Sequence, residues 1–207
     1  VVTITNCYYT VMMGDSQGTQ ASAFTSDRYT LGNLVQDYSN LKAYENGILY
    51  NDMYYVGPAI LTGTGTEADP YLIRDDYEWF SFTYYVNNGN DYSGKYVKLT
   101  ADIDITTPAG YRASDNYNQP FSGTFLGDGH TITVTLDDDG NQGLALFRYI
   151  NGATIKDLKV TGTIASSQYH TSGLVGFASG TNLIENCIVT ATLNISSDYA
   201  GGIIGHG

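Results

Sequence analysis

Positive charge is scarce in this 207-residue chain: Lys and Arg number 9 against 21 Asp and Glu, for a net charge of −12. A face that wraps nucleic acid or anionic lipid needs clustered cations, and nine scattered ones do not supply it. Charged residues of both signs are only 14% of the chain, against 42% hydrophobic. That balance excludes a disordered acidic tail, because it carries enough apolar surface to fold. Cysteine occurs twice, as Cys7 and Cys187, so no disulfide framework holds the chain together. No run approaches the ~18 apolar residues of a membrane span, which argues against membrane insertion. No signal-peptide pattern stands at the start. The sequence opens on the strand-like run VVTITNCYYT, and we expect a fragment of a longer exported protein.

Glu is scarce too, 4 against 17 Asp, while Tyr occurs 19 times, Gly 24, Thr 24 and Asn 15. Tyr and Thr favour pleated surfaces; Gly, Asn and Asp favour tight turns. This is the composition of an all-β protein with many corners, and it resembles that of secreted proteins.

The chain repeats itself. Gly143-Leu-Ala-Leu-Phe147 aligns with Gly173-Leu-Val-Gly-Phe177 and Gly202-Ile-Ile-Gly-His206, at spacings of 30 and 29 residues. A second half-unit, Ile155-Lys-Asp-Leu-Lys-Val-Thr161, matches Ile184-Glu-Asn-Cys-Ile-Val-Thr190 and returns near the start as Ile4-Thr-Asn-Cys-Tyr-Tyr-Thr10. Apolar positions alternate at Leu158, Val160 and Ile164, and again at Cys187, Val189, Ala191 and Leu193. The same alternation runs through Val97 to Ile105 and Ile132 to Leu136. Period two means strands with one inward face, and helical periodicity is absent. Ile155 and Ile184 fall out of phase with the runs that follow, so the chain must bend at Asp157 and Asn186. Short strands, bent and repeated every 20 to 30 residues, predict a parallel β-helix whose coils stack about 4.8 Å apart. Ile155, Leu158, Val160, Ile184, Cys187, Val189, Ile4 and Cys7 are its expected core-stacking positions.

Upstream, Asp75-Asp-Tyr-Glu78 spells a capping box leading into Trp79–Val86 and ending at Asn87-Asn88-Gly89. We expect one short helix lying across the first coil as a lid, since a solenoid's first coil otherwise exposes core and unpaired backbone. Tyr44-Glu-Asn-Gly47, followed by residues 48–56, predicts a small strand meander with an Asn-Gly turn. A short helix is expected around Leu31–Tyr38.

Gly173-Leu-Val-Gly176 and Gly202-Ile-Ile-Gly205 resemble the GLUG motif of bacterial surface proteins. Gly63-Thr-Gly-Thr-Glu-Ala-Asp-Pro-Tyr-Leu-Ile73, Lys98-Leu-Thr-Ala-Asp-Ile-Asp104 and Phe121–Ile132 continue the resemblance in the same order. It covers about residues 61–207. It implies a pectin-lyase-like right-handed β-helix on exported, adhesin-like proteins or in the non-catalytic region of IgA1-cleaving metalloproteases. It transfers no catalytic residue. The expected organisation is a closing coil of a preceding unit over 1–20, a connector with the meander over 21–60, a lead-in and capping helix over 61–95, and coils over 96–207.

Chemistry-bearing residues are few. Asp102 and Asp104 share one face of a strand, as an acid–base pair or a Ca²⁺ site would, but parity places both outside as solvated acids. Asp137-Asp-Asp-Gly140 lacks the alternate ligand spacing of a calcium loop and reads as an exposed turn. His130, His170 and His206 stand in different coils without ligand spacing, and both cysteines read as core thiols. We expect no metal, no cofactor and no catalytic residue. Tyr111, Tyr117 and Tyr169 fall in loops, where a ring can stack on a sugar. The expected role is a non-catalytic stalk or adhesive module at the bacterial cell surface, with a glycan or host surface protein as partner. The alternatives are a carbohydrate-active β-helix enzyme, a lyase or glycosidase, and the scaffold of a surface metalloprotease. Joined to a second copy, Ile4 falls 9 residues after Gly202, against 11 and 12 between half-motifs in complete units. Head-to-tail self-association is therefore also expected.

Overall fold

The computed structural model describes residues 48–50, 53–55, 58, 61–112 and 118–207. The expected coil over 1–20 with Ile4 and Cys7, the helix near Leu31–Tyr38 and Tyr117 lie outside them. The chain divides into two units, residues 1–59 and 60–207. In the first, β1 (Ile48–Tyr50) and β2 (Met53–Tyr55) pair antiparallel, Ile48 opposite Tyr55 and Tyr50 opposite Met53. The antiparallel pair lies within the expected meander over 48–56, and the expected Asn46-Gly47 turn lies outside the described residues.

The second unit is a β-solenoid of about four coils. β3 (Tyr71–Ile73) leads into helix α1 (Asp76–Asn87). The first coil contains β4 (Tyr96–Leu99) and β5 (Ile103–Ile105), then a lateral antiparallel pair, β6 (Tyr111–Arg112) and β7 (Asn118–Gln119). The second contains β8 (Thr124–Leu126), β9 (Thr131–Leu136) and β10 (Phe147–Asn151). The third contains β11 (Thr154–Lys156), β12 (Lys159–Ser166) and β13 (Val175–Ser179). The fourth contains β14 (Leu183–Glu185), β15 (Ile188–Val189), β16 (Thr192–Ile195) and β17 (Ile204–His206). Three parallel sheets result: β3-β4-β8-β11-β14, β5-β9-β12 with β15 and β16 on its edge, and β10-β13-β17.

The register follows the repeat. Ile155 pairs with Ile184 and Val160 with Val189. Ile155, Leu158, Val160 and Ile164 are buried, while Ile184, Cys187, Val189 and Leu193 in the last coil are only partly so. The phase break is a stack of left-handed residues: Asp128, Asp157 and Asn186 have φ of 53°, 54° and 53°. Asp and Asn tolerate that conformation because their short polar side chains hydrogen-bond locally, and here Asn186 Nδ2 donates to Asp157 Oδ1 at 3.1 Å. The second glycine of each Gly-x-x-Gly run, inside β13 and β17, has its own reason. A Cβ on Gly176 would lie 1.9 Å from the Gly143 carbonyl oxygen, and one on Gly205 2.1 Å from that of His170.

Helix α1 starts as its capping box dictates. Asp75 Oδ1 accepts from the Glu78 N–H at 2.8 Å, but Glu78 reaches one residue further back than the motif requires, accepting from the Arg74 N–H at 2.7 Å and from its guanidinium. The helix is more than a lid over the first coil. Trp79 packs its ring 5.9 Å from both Phe125 and Phe147, in the second coil, and Phe82 lies 5.5 Å from Phe121. The first coil leaves room for them: among the described residues, its third side is bridged to β10 only at Ala109 and Phe121. Trp79 Nε1, buried among carbons, donates to the Thr107 carbonyl at 2.7 Å, as a buried indole requires.

Candidate functional site

The corner between β12 and β13 carries the most exposed aromatic surface among the described residues. His170 and Tyr199, at one corner of successive coils, both adopt left-handed φ, 65° and 61°. The His170 N–H donates to the Tyr199 carbonyl at 2.9 Å, and Gly143 N–H to the Tyr169 carbonyl at 2.8 Å. The His170 ring lies 4.8 Å from both Phe177 and His206 and stacks on Tyr199 at 5.6 Å. Tyr169 meets Tyr199 edge-on at 6.1 Å. Tyr169 is 47% exposed and Tyr199 69%. Such a cluster offers ring faces for apolar C–H surfaces and phenol hydroxyls for hydrogen bonds, a combination suited to a sugar.

Of the three aromatics singled out in the sequence, Tyr169 belongs to this corner. Tyr111 is half-buried on the lateral hairpin and donates from its hydroxyl to Asn141 Oδ1 at 3.2 Å. Sequence reasoning missed Tyr199, and it kept His170 and His206 apart although their rings touch. The signal was present in the repeat: these coils register at 29 residues, so Tyr199 takes the position of His170 and His206 that of Phe177.

The carboxylates tie coil to coil. Asp104 is exposed. Asp102 is exposed as well, but it is not merely solvated: it accepts from the Thr131 N–H at 2.8 Å and lies 3.2 Å from His130 Nδ1. Its pKa is lowered, chiefly by that N–H and then by His130. Lys98 pairs with Asp128 at 2.9 Å and lowers its pKa, and Lys156 pairs with Glu185 at 2.7 Å. The turn Asp137–Gly140 is not a plain exposed corner either. Asp138 accepts from the hydroxyl and, at 2.7 Å, the N–H of Ser167, and these contacts lower its pKa. Asp139 Oδ2 meets Arg148 Nη2 at 2.6 Å, and Arg148 is fully buried. Burial lowers the Arg148 pKa and Asp139 opposes it. Among the described residues, no three His, Cys, Asp or Glu side chains gather as a metal site. No described helix is long and apolar enough to cross a membrane.

Two further features complete the surface. A cleft of about 160 Å³ beside α1 is lined by Leu61, Tyr71, Tyr85, Asn90 and Tyr92; burial pushes the Tyr92 phenol well above its ordinary range. At the opposite end, strands of the fourth coil lie at the edge of each of the three parallel sheets among the described residues. Ile203 and Ile204 are 44% and 40% exposed there, whereas Leu174 and Val175, 29 residues earlier, are fully covered.

No family model matches the chain, and no solved structure matches it. It is 27% identical over 168 residues to Halomucin of Haloquadratum walsbyi. That alignment takes in 71% of this chain and 2% of Halomucin, so the chain spans only a small fraction of the protein it resembles.

Proposed function

We propose that this chain is a non-catalytic repeat module of an exported surface protein, a stalk or adhesive segment that contacts glycan through its aromatic corner. The observation that carries the reading is the Tyr169–Tyr199 pair, held open to solvent on the side of a solenoid whose interior is filled by side chains. The use of Asp102, Asp128, Asp138 and Asp139 as ties between and within coils supports a load-bearing role over acid–base chemistry. The Gly-Leu-Val-Gly and Gly-Ile-Ile-Gly turns, with their resemblance to the GLUG motif of surface proteins, and the partial likeness to Halomucin favour the cell surface as its setting.

The test is a glycan and host-protein array probed with the whole chain, followed by titration of the best glycan against Tyr169→Ala and Tyr199→Ala. Binding should weaken about tenfold or more in each variant, as loss of a ring at a contact centre does, with melting temperature unchanged. Binding indifferent to both rings would remove the corner from the mechanism. Cleavage of any polysaccharide on the array by the wild-type chain would overturn the non-catalytic reading.

A further inference from the structure

We propose that the cleft beside α1 is a second sugar site, a pocket for one neutral pyranose at the end of a glycan. Its lining residues, Leu61, Tyr71, Tyr85, Asn90 and Tyr92, come from the lead-in to β3, from β3 itself, from α1 and from the loop after it. The fold holds each of these parts. The Leu72 N–H donates to the Thr62 carbonyl at 2.9 Å, which lays the lead-in along β3. Tyr71 packs its ring on Gly65, where a Cβ would stand 2.3 Å from the ring edge. The Asn90 N–H returns to the Tyr85 carbonyl at 2.9 Å and closes the end of the helix. Asn90 Oδ1 in turn accepts from the Tyr92 N–H at 3.3 Å. The cleft is therefore formed before any ligand arrives, as small-molecule sites usually are.

Tyr92 carries the argument. Its φ of 57° is left-handed, a conformation that a bulky residue rarely adopts. Asp128, Asp157 and Asn186 share it because they bend successive coils; Tyr92 lies outside that repeat. Backbone strain of this kind concentrates at binding sites. Tyr92 is only 4% exposed, and its ring meets Tyr71 edge-on at 5.8 Å and Phe82 at 5.2 Å. A buried phenol normally finds a hydrogen-bond partner, yet the Tyr92 hydroxyl has none among the described residues. Burial raises its pKa, and the neighbouring Tyr85 and Tyr71 phenols add to the rise, as groups that converge on one space do.

The lining sets the chemistry of the ligand. It holds no charged side chain, and it stands at the C-terminal end of α1, whose last turn has no basic residue. The helix dipole there disfavours an anion. A quaternary ammonium would suit the ring faces but would give the Tyr92 hydroxyl and the Asn90 amide no partner. A pyranose meets both demands, with C–H faces for the tyrosine rings and hydroxyls for Tyr92 and Asn90. At about 160 Å³, the cleft is well under the ~300 Å³ at which pockets for drug-sized ligands begin. It takes one ring at a chain end, not a run of sugars. β3 is the far edge of the five-stranded sheet that ends in β14. The cleft is thus separate from the Tyr169–Tyr199 corner, and either site can fail alone.

The experiment presents the whole chain with free glucose, galactose, mannose and N-acetylglucosamine at millimolar concentration in saturation-transfer NMR. Every measurement is repeated on Tyr199→Ala, which takes a ring from the corner so that the signal reads the cleft. At least one of the four sugars should bind in that background. Adding Tyr92→Phe, which removes only the hydroxyl, should weaken binding at least fivefold, and Asn90→Ala should do the same. Tyr92→Phe should leave the melting temperature unchanged or raise it, because a buried hydroxyl without a partner has been removed. The proposal is overturned if none of the four sugars binds, if Tyr92→Phe binds as well as its parent, or if choline binds in their place. A melting temperature clearly lowered by Tyr92→Phe would also overturn it, since the hydroxyl would then serve the fold.

Discussion

The Arg148–Asp139 pair makes a sharp prediction, because its two members differ in burial. The Arg148 side chain is 1% exposed and that of Asp139 44%. Arg148 Nη1 also donates to the Gln142 carbonyl at 3.0 Å, so the guanidinium clamps the turn 137–142 onto β10. Removing the carboxylate strands a buried cation. Breaking a fully buried pair in this way costs about 3–5 kcal/mol. Asp139 is half in water, which puts Asp139→Asn at the lower end, about 2–3 kcal/mol. Removing the cation instead leaves Asp139 free to hydrate, and Met fills much of the same volume. Arg148→Met should therefore cost less, about 0–1.5 kcal/mol.

The order of the two variants is the test. Thermal denaturation should place Asp139→Asn about 4–12 °C below wild type, at about 2–4 °C per kcal/mol for a chain of this size, with urea denaturation giving the same order. Arg148→Met should lie between them. Because the contact is shielded, 1 M NaCl should leave the difference largely intact. If Arg148→Met proves as destabilising as Asp139→Asn, or more so, the buried charge is not what makes the pair matter.

Three further outcomes follow from the coil contacts. Asp102, Asp128 and Asp138 have lowered pKa values, so their contribution is present above the ordinary carboxylate pKa near 4 and is lost as pH falls through the lower folded values. The triple Asn variant should flatten the acid limb of stability against pH; an unchanged limb would show that these ties carry nothing. Val160→Asp, buried in the third coil, should abolish folding by placing an unpaired charge in the core. Val189→Asp, in the half-open last coil, should loosen only that coil in hydrogen exchange, and equal effects would contradict the register. Gly176→Ala puts a methyl 1.9 Å from the Gly143 carbonyl oxygen, a backbone atom that cannot step aside. It should cost about 3 kcal/mol or more by urea denaturation, and a near-neutral result would mean that β13 does not approach the Gly143 carbonyl this closely.

The coil was legible in the sequence because its determinants are periodic. Alternation at Leu158, Val160 and Ile164 exposes an inward face, and a left-handed bend leaves a phase break at Asp157 and Asn186. The helix start was legible for a local reason, since Asp75 and Glu78 satisfy backbone donors within one turn. The depth to which Trp79 enters the second coil was not, because it depends on the space left where, among the described residues, isolated bridges at Ala109 and Phe121 replace a full strand. Arg148 was equally hidden: it is buried because a carboxylate nine residues earlier folds over it, a pairing that no strand periodicity encodes. The aromatic corner lies between these cases. Tyr169 alone is an ordinary loop tyrosine. It becomes part of a site only when the 29-residue register puts Tyr199 over the neighbouring His170 and His206 over Phe177. In a solenoid the repeat length converts sequence distance into contact, so a surface site is read by comparing loop residues one period apart. Applied to loops as well as strands, that rule marks His170 and Tyr199 together, and Tyr169 comes with them as the neighbour of His170.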